Sequence, residues 1–186
     1  TVTLGDPIVA AGATLEVRAG VYNSTIDASS ELDGNYIVHG FQYVYTGGGN
    51  DIIYETFAND TINTGSGNDT VFRNVSGADT INLGEGEDVI HTGLLGTGVS
   101  IDGGSGRDMA VFSDNYYPSS TIRVSASPDG ASVEKIFNGQ TVGVVSLQNV
   151  EDITLDVGKR TVEIGDMTGS GVGFIWLTNW SQSTFD

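Results

Sequence analysis

The chain of 186 residues carries 24 acidic residues against 7 basic ones, a formal net charge of −17, with 27 glycines, 3 prolines and no cysteine. That charge argues against nucleic acid and anionic membrane surfaces as partners, since both are polyanions, and the missing cysteine removes disulfides, thiolate metal sites and thiol catalysis together. There is no run of about 20 apolar residues to span a bilayer, while an apolar share of 38% allows a modest core in one domain or two small ones.

Residues Thr1 to Ala13 lack a basic start followed by an apolar stretch, so no cleavable signal peptide is read there. A first residue other than Met reads as a fragment or a processed product. Further along, Gly34-Asn35-Tyr36-Ile37-Val38-His39 and Gln42-Tyr43-Val44-Tyr45 alternate like strands. Val44 lies nine residues before Ile53 and shares the phase of the pattern that follows. Residues 14 to 45 are therefore read as degenerate solenoid coils that cap an otherwise open edge.

The middle of the chain repeats. Asp51, Asp60 and Asp69 are nine apart, Asp79 follows after ten, Asp88 after nine and Asp108 after twenty. Two positions after each comes Ile53, Ile62, Val71, Ile81, Ile90 or the small Ala110. Two positions before most of them stands a glycine: Gly49, Gly67, Gly77, Gly86 and Gly106, with Ala58 before Asp60. In the twenty-residue gap, Val99-Ser100-Ile101 reads as the strand of one more turn, with Val99 where aspartate would stand and two extra residues between Thr92 and Gly98. A unit of about six loop and three strand residues is too short for a hairpin pair but suits half a coil of a parallel β-solenoid, glycines admitting the left-handed backbone of tight loops. Two units complete a coil, so Asp51, Asp69, Asp88 and Asp108 line one edge and Asp60 and Asp79 the other.

Beyond the repeats, Thr121 to Val124 and Ala131 to Ile136 read as strands around a Ser127-Pro128-Asp129-Gly130 turn. Gln140 to Leu147 and Asp152 to Leu155 read as further strands, and the apolar Gly173-Phe174-Ile175-Trp176-Leu177 tail is expected to pack. No amphipathic helix is seen. The chain thus divides into N-terminal coils (1–45), the repeat region (46–112) and a C-terminal β-rich cap (113–186).

Coils stack about 4.8 Å apart. Carboxylates at roughly 5 Å, in an effective dielectric near 20, repel by about 3 kcal/mol per pair, so such rows call for a cation between them. Carboxylate and loop-carbonyl oxygens in a flexible many-oxygen cage favour Ca²⁺ over Zn²⁺, copper or Mg²⁺. From Thr46 to Val111 ten acids face Arg73 and Arg107, a net 2 − 10 = −8, so the region is expected to be largely unfolded without calcium and to order on binding it.

The copies match G-G-x-G-x-D-x-U-x, with U apolar, and between Thr46 and Val111 the chain resembles the RTX (hemolysin-type) calcium-binding repeat family. The resemblance implies an all-β protein, a right-handed parallel β-roll holding Ca²⁺ between loops of successive coils on the same edge. It implies as ligands Asp51, Asp60, Asp69, Asp79, Asp88 and Asp108, with loop positions Gly47, Gly49, Gly65, Gly67, Gly84, Gly86, Gly104 and Gly106. The expected pairs are Asp51 with Asp69, Asp69 with Asp88, Asp88 with Asp108, and Asp60 with Asp79, for about four or more ions. Thr56 and Ala58 before Asp60, and Val75 before Asp79, depart from the pattern. Val150 to Leu155 resembles the segment that closes such rolls. The family also implies export by a type I secretion machinery and folding outside a bacterial cell.

Calcium-dependent structure in a secreted or surface-attached bacterial protein is the reading these residues favour. Two others remain open: an adhesin or surface-layer module binding carbohydrate or a cell surface, and an auxiliary module of a secreted protease, lipase or alginate epimerase. The chain itself is not expected to be an enzyme, having no G-x-S-x-G, no lysine-bearing phosphate loop and no H-E-x-x-H. His39 and His91 read as structural or exposed. Tyr116, Tyr117, Trp176 and Trp180 read as cap packing rather than a sugar platform.

Overall fold

The computed structural model describes residues 1–6, 8–20, 23–73, 76–113, 119–156, 158 and 160–178. Among them all helical or extended regular structure is strand. From β1 to β12 the odd and even strands fall into two sheets. The first holds, in spatial order, β1 (Val2–Thr3), β3 (Thr25–Glu31), β5 (Tyr43–Gly48), β7 (Thr61–Ser66), β9 (Thr80–Asn82), β11 (Gly96–Asp102), β15 (Gln140–Gln148), β14 (Gly130–Phe137), β13 (Thr121–Ser127) and β17 (Thr161–Ile164). The second runs β2 (Thr14–Arg18), β4 (Asn35–His39), β6 (Ile52–Tyr54), β8 (Thr70–Phe72), β10 (Val89–Thr92), β12 (Met109–Ser113), β16 (Asp152–Asp156) and β18 (Phe174–Thr178).

Successive members of the second sheet pair in parallel throughout, as do those of the first from β1 to β15. The chain therefore alternates between two facing sheets, a parallel β-roll in which each pair of strands is one coil. The period of nine dictates this: three extended residues present one inward side chain, and the glycine loop that follows reverses the chain toward the other sheet.

The inward residues form two continuous columns. In the first sheet Ile26, Val44, Ile62, Ile81, Ile101 and Leu147 stack in register. In the second, Val38, Ile53, Val71, Ile90, Ala110 and Ile153 do the same. None of these twelve is more than 2% exposed. Ile101 sits on Ile81, the place its phase predicts, and one surplus residue before it appears as a bulge between Gly96 and Val99.

The solenoid continues past the repeats. After β12 the chain leaves the roll, forms the antiparallel β13–β14 hairpin across a turn at Pro128-Asp129, and returns as β15 on β11 and β16 on β12. The tail adds β18 beside β16; Ile175 and Leu177 pack on the core, while Phe174 and Trp176 face outward, each more than half exposed.

Candidate metal centre

Asp51, Asp69, Asp88 and Asp108 immediately precede β6, β8, β10 and β12 and so fall in one column, at most 1% exposed. Each Oδ1 accepts a backbone N–H from the coil before: Tyr36 to Asp51 at 2.7 Å, Asp51 to Asp69 at 2.8 Å, Asp69 to Asp88 at 2.7 Å and Asp88 to Asp108 at 2.9 Å. This ladder fixes the register of the loops along this edge. The other oxygen, Oδ2, is buried in all four and has no hydrogen-bond partner.

Burial pushes the Asp51 and Asp88 carboxyls up to about 7, with the negative charge of neighbouring Asp69 adding to both. Burial likewise raises Asp108 to about 6, with Glu151 adding, and moves Asp69 upward. A desolvated carboxylate oxygen without a partner costs several kcal/mol, and four in one column multiply that cost.

The loops that carry these aspartates stack as closely as backbone allows. Gly86 has φ 143°, and a Cβ there would strike the carbonyl oxygen of Gly67; at Gly84, φ 99°, it would strike that of Gly65. The predicted glycines Gly47, Gly49, Gly65, Gly67, Gly104 and Gly106 repeat this geometry along the same edge. Loop N–H groups of Glu85 and Ser105 donate to the carbonyls of Gly65 and Gly84 at 2.8 and 2.7 Å. A second ladder runs one residue earlier, where the Oδ1 atoms of Asn35, Asn50 and Asn68 accept the N–H of Asn50, Asn68 and Glu87 at 2.7, 2.8 and 2.9 Å.

Both ends of the aspartate column are closed by residues the repeat pattern did not include. The N–H of Asp108 donates to Glu151 Oε2 at 2.9 Å, so Glu151 continues the ladder. Its signal was present: it stands two positions before the inward Ile153, where the repeat puts aspartate. At the other end Tyr36 occupies that position, two before Val38. Its hydroxyl donates to Glu31 Oε2 at 3.4 Å, and burial, with the Glu31 charge, pushes it up to about 12.

The opposite edge brings Asp60 and Asp79 together, the Asp60 N–H donating to Asp79 Oδ1 at 2.9 Å, but fills their remaining oxygens from within the protein. Thr56 gives Asp60 its N–H at 2.9 Å and its hydroxyl at 2.7 Å. Arg73 Nε donates to Asp79 Oδ2 at 2.7 Å, with both side chains fully buried. Glu55 lies in the same buried group, one of its oxygens within 4.8 Å of an oxygen of each aspartate. Val99, where a third aspartate would stand, is buried and apolar.

His39 and His91 lie on the outer face of the second sheet, at the ends of a column of stacked rings. Centroid distances are 4.6 Å from His39 to Tyr54, 4.9 Å from Tyr54 to Phe72 and 4.8 Å from Phe72 to His91. Stacking turns the ring faces toward each other rather than to solvent. Trp176 stacks on Phe174 at 5.8 Å, whereas Tyr116, Tyr117 and Trp180 lie outside the described residues.

The two-sheet parallel roll, with its glycine loops and oxygen-lined edge, is the form a stacked loop-and-strand repeat takes. Residues 76–94 match the family model of the RTX calcium-binding nonapeptide repeat (4 copies), and they lie within the parallel β-roll that the strand pairing shows. The repeat is a structural calcium-binding unit and not a catalytic family. No curated protein and no solved structure matches the chain. Among the described residues no helix is long and apolar enough to cross a membrane.

Proposed function

We propose that this chain is a calcium-assembled β-roll module of a secreted or cell-surface bacterial protein. Ions would lie between successive loops of the Asp51 edge, three intervals in all, held by the Oδ2 atoms of Asp51, Asp69, Asp88 and Asp108 and by carbonyls of the loop glycines. The observation that carries this reading is the column of four buried, unpartnered Oδ2 atoms. An all-oxygen donor set in stacked flexible loops suits Ca²⁺. The ion supplies positive charge to a region of net −8, and its binding energy becomes folding energy.

Calcium is scarce in cytosol and plentiful outside cells, so this dependence suits export as an extended chain through a type I secretion machinery, followed by folding at the surface. Circular dichroism through a calcium titration tests the reading. The strand signal should grow with calcium and vanish with chelator at neutral pH; a spectrum indifferent to both would refute it.

A further inference from the structure

Calcium does not suit both edges of the roll equally. On the Asp51 edge each aspartate keeps one buried oxygen without a hydrogen-bond partner, whereas on the Asp60 edge both aspartates have their oxygens satisfied and a guanidinium stands beside them, with Glu55 as a third buried carboxylate. Arg73 enters this group from the position just after β8. It stands two positions after the inward Val71, so strand alternation turns its side chain into the roll, on the same column as Glu55 and Thr92.

The guanidinium is held on several sides. Nε donates to Asp79 Oδ2 at 2.7 Å, Nη1 to the Thr92 hydroxyl at 3.2 Å and the Gly93 carbonyl at 3.5 Å, and Nη2 to the Gly77 carbonyl at 3.1 Å. Its side chain is fully buried, as is that of Asp79. Those acceptors are a carboxylate, two loop carbonyls and a hydroxyl: the oxygen types a calcium ion would collect in such a loop.

We infer that Arg73 is a tethered substitute for calcium, so that its guanidinium rather than an ion balances Asp79 and the Asp60–Asp79 pair takes no ion in the native protein. The inference rests on the calcium reading of the Asp51 edge and limits it: of the four pairs expected from the sequence, the Asp60–Asp79 pair is satisfied by the chain itself. An arginine always carries its charge, so this edge closes irrespective of calcium concentration, and the metal response is confined to the other. The two extra carboxylates nearby, Asp60 and Glu55, indicate what the site becomes without the guanidinium: three buried acids whose oxygens lie within 4.8 Å of one another.

Bound calcium per chain, counted by equilibrium dialysis at saturating Ca²⁺, tests this on the full chain. Asp79→Asn should leave the count at its native value, whereas Asp69→Asn should lower it. Asp60→Asn makes the same comparison if Asp79→Asn fails to fold, because Asp60 is held by Thr56 rather than by the guanidinium. Arg73→Gln should raise the count by one. A count that falls in Asp79→Asn or Asp60→Asn, or that does not rise in Arg73→Gln, overturns the inference; an unchanged count in Asp69→Asn overturns instead the calcium reading of the Asp51 edge.

Discussion

At the residue scale, the carboxylates of the Asp51 column divide their labour. One oxygen holds the chain in register and the other is buried without a hydrogen-bond partner, so on the proposed calcium reading substitution of Asp69 removes both functions from two intervals at once. Calorimetric calcium titration should show Asp69→Ala losing more binding than Asp60→Ala, with affinity down at least tenfold, about 1.4 kcal/mol. Equal losses in the two variants would contradict this division.

The same burial sets a pH dependence. The Asp51, Asp88 and Asp108 carboxyls titrate near 6 to 7 in the folded chain but near 4 when unfolded. A raised folded value means that the calcium-free fold binds protons more tightly than the unfolded chain does. The stability these three groups contribute is full below about 4 and is lost as pH rises through 6 to 7. Calcium, which needs the ionised form, gains affinity over the same interval. Circular dichroism of the calcium-depleted chain should show more strand at pH 5 than at pH 8, and the calcium midpoint should fall as pH rises.

At the scale of elements, outward rings as well as inward aliphatics hold successive rungs together. Phe72 stacks on Tyr54 and on His91 at 4.9 and 4.8 Å, so Phe72→Leu keeps an apolar side chain while losing two ring contacts. Thermal unfolding in saturating calcium should report a loss of about 1–2 kcal/mol. A variant as stable as the native protein would show that the column contributes nothing beyond burial.

How far these elements could be read from the chain follows from what period nine encodes. It places Ile53, Val71 and Ile90 in one column and Ile62, Ile81 and Ile101 in the other, together with both aspartate rows. It says less of β15 and β16, which resume the roll after the hairpin without a glycine–aspartate loop to mark them, although Glu151 and Ile153 keep the spacing of a repeat. The inward direction of Arg73 follows from its distance to Val71, but its pairing with Asp79 depends on a loop closing over it. Trp176 and Phe174 belong to an apolar tail whose alternation leaves these two rings outside and Ile175 and Leu177 inside.

At the scale of the whole molecule, a chain of net charge −17 folds into a roll with two acidic interior edges, one holding the Arg73 guanidinium and the other proposed to take calcium. The roll is a ladder of nearest-neighbour contacts, so on the calcium reading of the Asp51 edge removal of the ions should loosen successive coils from Asp51 to Asp108 together. Size-exclusion chromatography at neutral pH should show a larger hydrodynamic radius in chelator, recovered with calcium but not with an equal ionic strength of sodium chloride. Recovery in sodium chloride alone would reduce the effect to screening.

The most direct measurement is anomalous diffraction from crystals grown in excess calcium. The expected result is ion density beside the Oδ2 atoms of Asp51, Asp69, Asp88 and Asp108, with the guanidinium of Arg73 rather than an ion beside Asp79. Well-ordered crystals in which those four oxygens face no ion would contradict the account.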